Sequence, residues 1–365
     1  MIIGIPKERR PYEYRVGLHP AGVHLFAQRE HIVYVERGAG VGAGFSDDDY
    51  AQAGGIIAYS EEEVLRRADL VLKFARPLQE ELDVLREGQA LAGFLHLEAA
   101  REDKLRVILD KKITAIAYEK IQDVDGYRPV LAPMSRLGGQ IVPQVAARLM
   151  QNDFGGRGIL LGGMVGVPAP EVVIIGAGSV GGTAAGVFAA LGAHVTVLDI
   201  DMRRLQELQA SCAKPLVTMF STAYNIARAC SYADVLIGAV YVPGERSPVV
   251  VTREMVSRMK RRAVIIDMAI DTGGCIETSR PTSHGAPTYI DEGVIHCCVP
   301  NLPGVLGRTG TYTLFNAAYP YLAAIAELGL DGALKQLPAL ERGIDTFRGE
   351  VRHLRRLVSL RSAEE

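Results

Sequence analysis

The chain reads as an α/β protein built from two Rossmann-like domains with mainly parallel sheets. Three observations carry this. Its 365 residues exceed what one hydrophobic core usually organises. Its first 130 or so residues alternate short β-like runs with helical ones. A second, better defined series of the same kind begins at Glu171. The expected division is a first domain of residues 1–134 and 305–365, and a second of residues 135–304.

Taken in order, IIGIP is β-like, HPAGVHLFAQ helical, IVYVERGAG β-like, DDYAQAG helical and DLVLKF β-like; LRVILDKK and TAIAYEKI continue the rhythm. Apolar spacing predicts a helix from Ser135 to about Leu149, weakened in its first turns by Gly138, Gly139 and Pro143. That helix is the expected connection between domains. In the second series VVIIGAG, HVTVLDID, DVLIGAV and AVIIDMAID are strands, while GGTAAGVFAALG, MRRLQELQASC and TREMVSRM are helices. Thr252 suits the N-cap of the last of these. The segment TLFNAAYPYLAAIAELG is helical, as is the charged end from Arg342, and the closing helices are expected to return to the first domain.

Composition narrows the function. Apolar residues make up 48% and charged residues 22%, as in an ordinary folded chain. A net charge of -2 gives no field to gather nucleic acid or anionic lipid, so small solutes are the better partners. The five cysteines lack CxxC spacing and are odd in number, which argues for buried thiols rather than a disulfide framework or a zinc site. With charges in the first ten residues and no run of about 20 apolar residues, a cytoplasmic protein without a membrane span is expected.

The sharpest local signal is Gly176-Ala177-Gly178-Ser179-Val180-Gly181, at the end of one strand and the start of a helix. In that context Gly176 permits the tight turn, Gly178 lets a pyrophosphate approach the backbone, and Gly181 allows close helix-to-strand packing. The helix start at Ser179 and Val180 offers free N–H groups to phosphates. Asp199 ends the next strand, roughly 18 residues past Gly181, where a carboxylate accepts from ribose hydroxyls and repels a 2′-phosphate. NAD is therefore favoured over NADP. Arg203 and Arg204 follow closely and bear on that preference; Arg204 is retained among the cofactor-binding candidates.

GIPKE near the start, Arg15-Val16-Gly17-Leu18-His19-Pro20-Ala21-Gly22-Val23, GGRGILLGG, IDMAIDTGGCIETSRPTSH and CVPNLPG resemble the alanine dehydrogenase family, in order, up to about Leu322. The chain is also similar to the NAD-binding component of proton-translocating transhydrogenase. The resemblance implies a substrate domain, an NAD domain, a substrate cleft between them, and a homo-oligomer, a hexamer or dimer. It implies that Arg15 holds the substrate carboxylate, which a planar guanidinium suits. His96 matches the acid/base residue, and imidazole titrates near working pH. Asp271 matches an aspartate beside the nicotinamide; on chemistry alone it could as well cap its turn. Asn301, Ser221 and the Gly238-Ala239-Val240 strand end match cofactor contacts, as does Ser135, which is also placed among the substrate-side candidates.

Two departures stand out. Where the family strand reads K-V-K-E-P, this chain has Lys73-Phe74-Ala75-Arg76-Pro77, so Ala75 replaces a substrate-binding lysine. Lys73 shares the face of Ala75 about 7 Å earlier and Arg76 points the other way, so neither replaces that lysine unless the strand bulges. Losing such an ammonium removes a contact worth roughly 1.5 to 3 kcal/mol. Arg136 stands where the family usually has glutamate. Either the pocket is retuned to a substrate with an extra anionic group, paired by Arg76 or Arg136, or alanine turnover is weakened.

The expected function is reversible NAD-dependent oxidative deamination of L-alanine or a close analogue. The alternative is an NAD-binding module, transhydrogenase-like or regulatory, without dehydrogenase activity of its own. A 2-hydroxy-acid dehydrogenase is a third possibility, separated by whether ammonia is needed.

Overall fold

The computed structural model describes residues 1–242 and 245–354 and divides into two compact units: Met1–Met134 with the residues from Gly304, and Ser135–Pro303. Each has its own sheet.

In the first unit, β1 (Ile2–Ile5), β2 (Ile32–Glu36), β3 (Ile56–Ala58), β4 (Leu70–Ala75), β5 (Ala90–Phe94) and β6 (Thr114–Ala117) are all parallel. They lie in the order β3-β2-β1-β4-β5-β6. Strand order reverses between β1 and β4, the place where doubly wound sheets open a crevice beyond their carboxyl ends. The register of β4 on β5 shifts between Leu72 and Ala75, so the strand bulges there. Central strands such as β5 are buried throughout, which is why ALAGF reads as continuously apolar.

The second unit contains β7 (Glu171–Ile175), β8 (His194–Asp199), β9 (Val217–Phe220), β10 (Val235–Gly238), β11 (Val264–Asp267), β12 (Thr288–Asp291) and β13 (Val294–Cys297). Their order is β12-β13-β11-β10-β7-β8-β9, parallel except for the edge strand β12. The switch point lies between β7 and β10. Strand β9 and the helix Ala223–Tyr232 after it have no counterpart in the sequence reading, because β9 is a four-residue edge strand, partly exposed along its length, with no alternation to betray it. Thr252 caps its helix as expected, its hydroxyl accepting from the Met255 N–H at 3.3 Å.

Two boundaries differ from expectation. The helix Leu131–Leu149 starts four residues before Ser135 and carries Pro143 inside it. A Cβ on its Gly139 would lie 2.6 Å from the Val180 carbonyl, so the weakness of glycine as a helix former is accepted for a close approach to the helix Ser179–Ala190. The helical end expected from Arg342 is corrected over residues 344–351: β14 (Ile344–Phe347) and β15 (Glu350–Val351) form an antiparallel hairpin that extends the first sheet beside β6. Arg348 and Gly349 both have positive φ, 50° and 86°, which suits a two-residue hairpin turn, and Thr346 is fully buried with its hydroxyl on the Ile113 carbonyl at 2.8 Å. The remainder of that predicted helix, residues 355–365, lies outside the described residues. No helix among the described residues is long and apolar enough to cross a membrane. All five cysteines are free, with Cys212 half-buried and the rest buried.

Candidate functional site

In the second unit the turn after β7 separates the roles of its three glycines. Gly176 has φ +105°, and a Cβ there would meet the Ala239 carbonyl at 2.4 Å. A Cβ on Gly181 would meet the Gly176 carbonyl at 1.9 Å. Gly178 is different: nothing lies within 4 Å of the position its Cβ would take. The first and last glycines are required by the fold itself, whereas the middle one opens a bare stretch of backbone at the start of the helix Ser179–Ala190. Exposed Ser179 and half-buried Val180 provide the free N–H groups of that helix start. Asp199 is drawn into the same turn, accepting from the Ala177 N–H at 2.6 Å and the Asp201 N–H at 2.8 Å. This donor set fits the pyrophosphate and ribose of a dinucleotide.

The other cofactor candidates sit at the carboxyl ends of neighbouring strands. Ser221, just past β9, donates its N–H to the Asp199 carbonyl at 3.0 Å. Ala239 and Val240 follow β10 and are half-buried; the Ala239 N–H donates to the Ile175 carbonyl, and the Val240 carbonyl accepts from the Ser247 hydroxyl at 2.9 Å. Asp271 and Asn301 are paired, the Asp271 carboxylate accepting the Asn301 N–H at 3.1 Å, with Asn301 held at φ 52°. Arg204 is exposed and lies 3.7 Å from Asp201. Ser135 is half-buried and Arg136 exposed on the helix Leu131–Leu149.

Sequence reasoning did not single out Asp267, at the end of β11. It is buried and accepts the N–H groups of Ala269 and Cys275, each at 3.0 Å. Burial raises its carboxyl above the usual range, with the Ser279 hydroxyl pulling the other way. These bonds shape the turn that presents Asp271.

In the first unit the corresponding strand ends gather Arg15 and His96. Gly17 makes the Arg15 segment possible, since a Cβ there would lie 2.2 Å from the Leu72 carbonyl on β4. Arg15 is 4% exposed; its Nε donates to Glu13 at 2.6 Å, a second nitrogen to the other Glu13 oxygen, and its guanidinium lies 3.7 Å from the Phe74 ring centroid. Phe74 meets Phe94 at 5.5 Å, and Phe94 stacks with His96 at 6.4 Å and 21°. A column of rings therefore joins the arginine to the imidazole.

His96 is half exposed and takes left-handed φ 45°, ψ 44°, unusual for a residue with a Cβ and a form of strain common at working sites. Glu119, buried just past β6, holds it there. Its carboxylate accepts the His96 N–H at 2.6 Å and the Leu95 N–H at 3.2 Å, and stands 3.7 Å from the His96 Nδ1. Glu13, Phe74 and Glu119 were missed by sequence reasoning; only the closeness of Glu13 to Arg15 was a usable signal.

Lys73 requires correction as a substrate ligand. It is 1% exposed, and its ammonium bonds Glu81 and lies 3.4 Å from Glu8. Burial would lower its affinity for the proton, but Glu8 and Glu81 outweigh burial and raise it. Glu8 in turn accepts the N–H groups of Phe74 and Ala75, at 2.6 and 3.3 Å. The β4 bulge exists, yet it leaves Lys73 inside an internal ion cluster. Arg76, one residue past β4, is exposed.

The family described as alanine dehydrogenase/PNT, N-terminal domain, matches residues 4–138, and its C-terminal domain counterpart matches residues 142–354. An alanine dehydrogenase of Methanococcus maripaludis is 44% identical over 352 residues, covering 96% of this chain and 94% of that protein. A solved L-alanine dehydrogenase superposes with a TM-score of 0.94 at 40% identity, covering 99% of both chains. A transhydrogenase from Sinorhizobium meliloti, 24% identical and covering 97% of this chain and 99% of that one, has a TM-score of 0.81 and is a likeness of fold. With both halves matched and relatives of this identity along nearly its whole length, the chain belongs to the alanine dehydrogenase/PNT family.

Proposed function

We propose that the protein is an NAD-dependent alanine dehydrogenase, interconverting L-alanine with its 2-oxo acid and ammonia. The observation that carries this is the open backbone at Gly178 beside the Asp199 carboxylate, in a chain whose relatives at more than 40% identity are named alanine dehydrogenases. The transhydrogenase-like alternative is not favoured, since that likeness rests on 24% identity.

The second unit is the coenzyme domain in this reading, and the first unit holds the substrate. NAD, when bound, supplies the hydride acceptor. Everything else falls to the chain. Gly178 admits the pyrophosphate, the N–H groups from Ser179 onward meet its charge, and Asp199 takes the ribose hydroxyls. Arg15, oriented by Glu13 and Phe74, fixes the substrate carboxylate and so turns the amino carbon one way. His96 takes and returns protons at the amino nitrogen and at the attacking water, while Glu119 holds its backbone in place. Asp271 and Asn301 shape the nicotinamide end. Ser135 and Arg136 are the substrate-side candidates of the second unit.

Exposed Leu160, Met164, Val165 and Val167 crowd one turn, which supports a homo-oligomer, and free cysteines suit a reducing cytoplasm. Light scattering on the purified chain tests the oligomer. Activity is tested by following NADH from L-alanine and NAD, and its consumption with pyruvate and ammonium. Silence in both directions with NAD still bound would overturn the reading in favour of a binding module.

A further inference from the structure

The Arg76–Pro77 segment after β4 collects cations. Arg10 Nε donates to the Arg76 carbonyl at 3.0 Å, and Lys104 Nζ donates to the Pro77 carbonyl at 3.1 Å. Two consecutive carbonyls thus pin two cations beside the side chain of a third, Arg76. Each comes from a different element: the loop after β1, the residue past β4, and the helix Glu102–Asp110.

These charges feel one another. Burial and then Arg76 lower the proton affinity of Arg10; burial, then Arg10 and Arg76, lower that of Lys104. The acids in range are mostly committed elsewhere. Glu8 and Glu81 hold Lys73, Glu13 holds Arg15, and Asp103 engages Arg101 at 2.8 Å, leaving Glu80 to offset the cluster. Among the described residues, none of the three cations is within ion-pair distance of a carboxylate. Like charges fastened together with no carboxylate at ion-pair distance oppose folding, and such a group is well suited to an anionic ligand.

We propose that Arg10, Arg76 and Lys104 bind an oxyanion, a phosphate or carboxylate group. Its source is either the second acidic group of an amino-acid substrate or a free anion. The substrate source rests on the dehydrogenase reading, whereas the free-anion source stands without it. Arg76 follows the β4 bulge between Leu72 and Ala75, and the loop bearing Arg10 also bears Arg15, so both sources have a physical basis.

The test uses the full chain, its Arg76→Glu variant and its Lys104→Ala variant. The probe is inorganic phosphate at fixed ionic strength with chloride as control, read by titration calorimetry and by thermal melting. The proposal expects phosphate to raise the melting temperature and its Kd to weaken by about 10-fold or more in both variants. In parallel, kcat/KM is measured for L-alanine, L-aspartate and L-glutamate. A fall of about 10-fold or more in the acidic-to-alanine ratio in Arg76→Glu, with phosphate competing against the acidic substrate, assigns the site to the substrate's own group. Inert acidic substrates together with variant-sensitive phosphate binding assign it to a free anion. Phosphate affinity equal in all three proteins, with the substrate ratio unmoved, overturns the proposal while leaving alanine turnover intact. Variant-sensitive phosphate binding with no turnover of any amino acid would instead overturn the dehydrogenase reading and leave the site standing.

Discussion

The Arg15 guanidinium lies 3.7 Å from the Phe74 ring centroid while Glu13 bonds two of its nitrogens. A cation gripped on one edge and backed by a ring has little freedom, so its orientation is set before a substrate arrives. Arg15→Lys keeps the charge but loses the planar fork. We expect kcat/KM for L-alanine to fall by about 10- to 100-fold, mostly through KM, the equivalent of one charge-assisted hydrogen bond. Steady-state kinetics unchanged from the parent would remove Arg15 from the substrate site.

His96 tests the proton-transfer assignment. His96→Ala should lower kcat by about 10²- to 10⁴-fold while NAD affinity, read by fluorescence titration, stays within a factor of two. Glu119→Ala removes the acceptor that holds the His96 N–H at 2.6 Å, so it should lower kcat by about 10-fold or more with NAD affinity unchanged, and Glu119→Gln, which keeps an acceptor there, should restore most of that loss. A kcat equal to the parent's in Glu119→Ala would leave Glu119 without a positioning role.

The glycine turn offers a contrast between two substitutions of equal size. Gly178→Ala adds a methyl group to open space, so its melting temperature should match the parent while NAD affinity drops by about 10-fold or more. Gly181→Ala forces a methyl group to 1.9 Å from the Gly176 carbonyl and should destabilise the fold by about 2 to 4 kcal/mol. Denaturant melts with and without NAD separate the two. Equal NAD affinity in Gly178→Ala and the parent would contradict the cofactor assignment.

His19 sets a pH dependence of stability. Burial first, and Arg308 second, lower its imidazole to about 4 from an ordinary 6.5. Nδ1 accepts the Gly22 N–H, and the ring packs against Tyr312 and Phe315, each at 4.4 Å. The folded state therefore favours the neutral ring. Its contribution is complete above pH 6.5 and is lost as pH falls toward 4, where the unfolded chain gains the proton first. The loss should reach on the order of 3 kcal/mol. His19→Asn keeps a cap acceptor and should flatten the denaturation free energy between those two pH values, and a slope equal to the parent's would contradict the assignment.

The sequence made both series of strands and helices legible, because parallel strands buried on two faces read as apolar runs and their glycine turns follow at fixed positions. It showed the glycine turn for the same reason, since Gly176 through Gly181 shape local backbone geometry. Arg15 and His96 were found through motif resemblance. Glu119 and Phe74 were not, since their importance depends on strands distant in sequence lying side by side. Lys73 misled because strand alternation says which face a side chain occupies but not which carboxylates wait there. The hairpin after Arg342 was missed because charged residues surround its short buried run, Ile344, Asp345 and Thr346.

That hairpin governs the order in which the protein can assemble. The second unit draws its strands from one continuous stretch, so its sheet can close as soon as residue 297 has left the ribosome. The sheet of the first unit waits for β14, which pairs Ile344 with Ile116. Until the final segment is synthesised, β6 presents a bare edge with unpaired peptide groups to its surroundings. The amino-terminal half thus emerges first yet matures last, and truncation a few dozen residues short of the end should yield aggregation rather than a shorter functional protein.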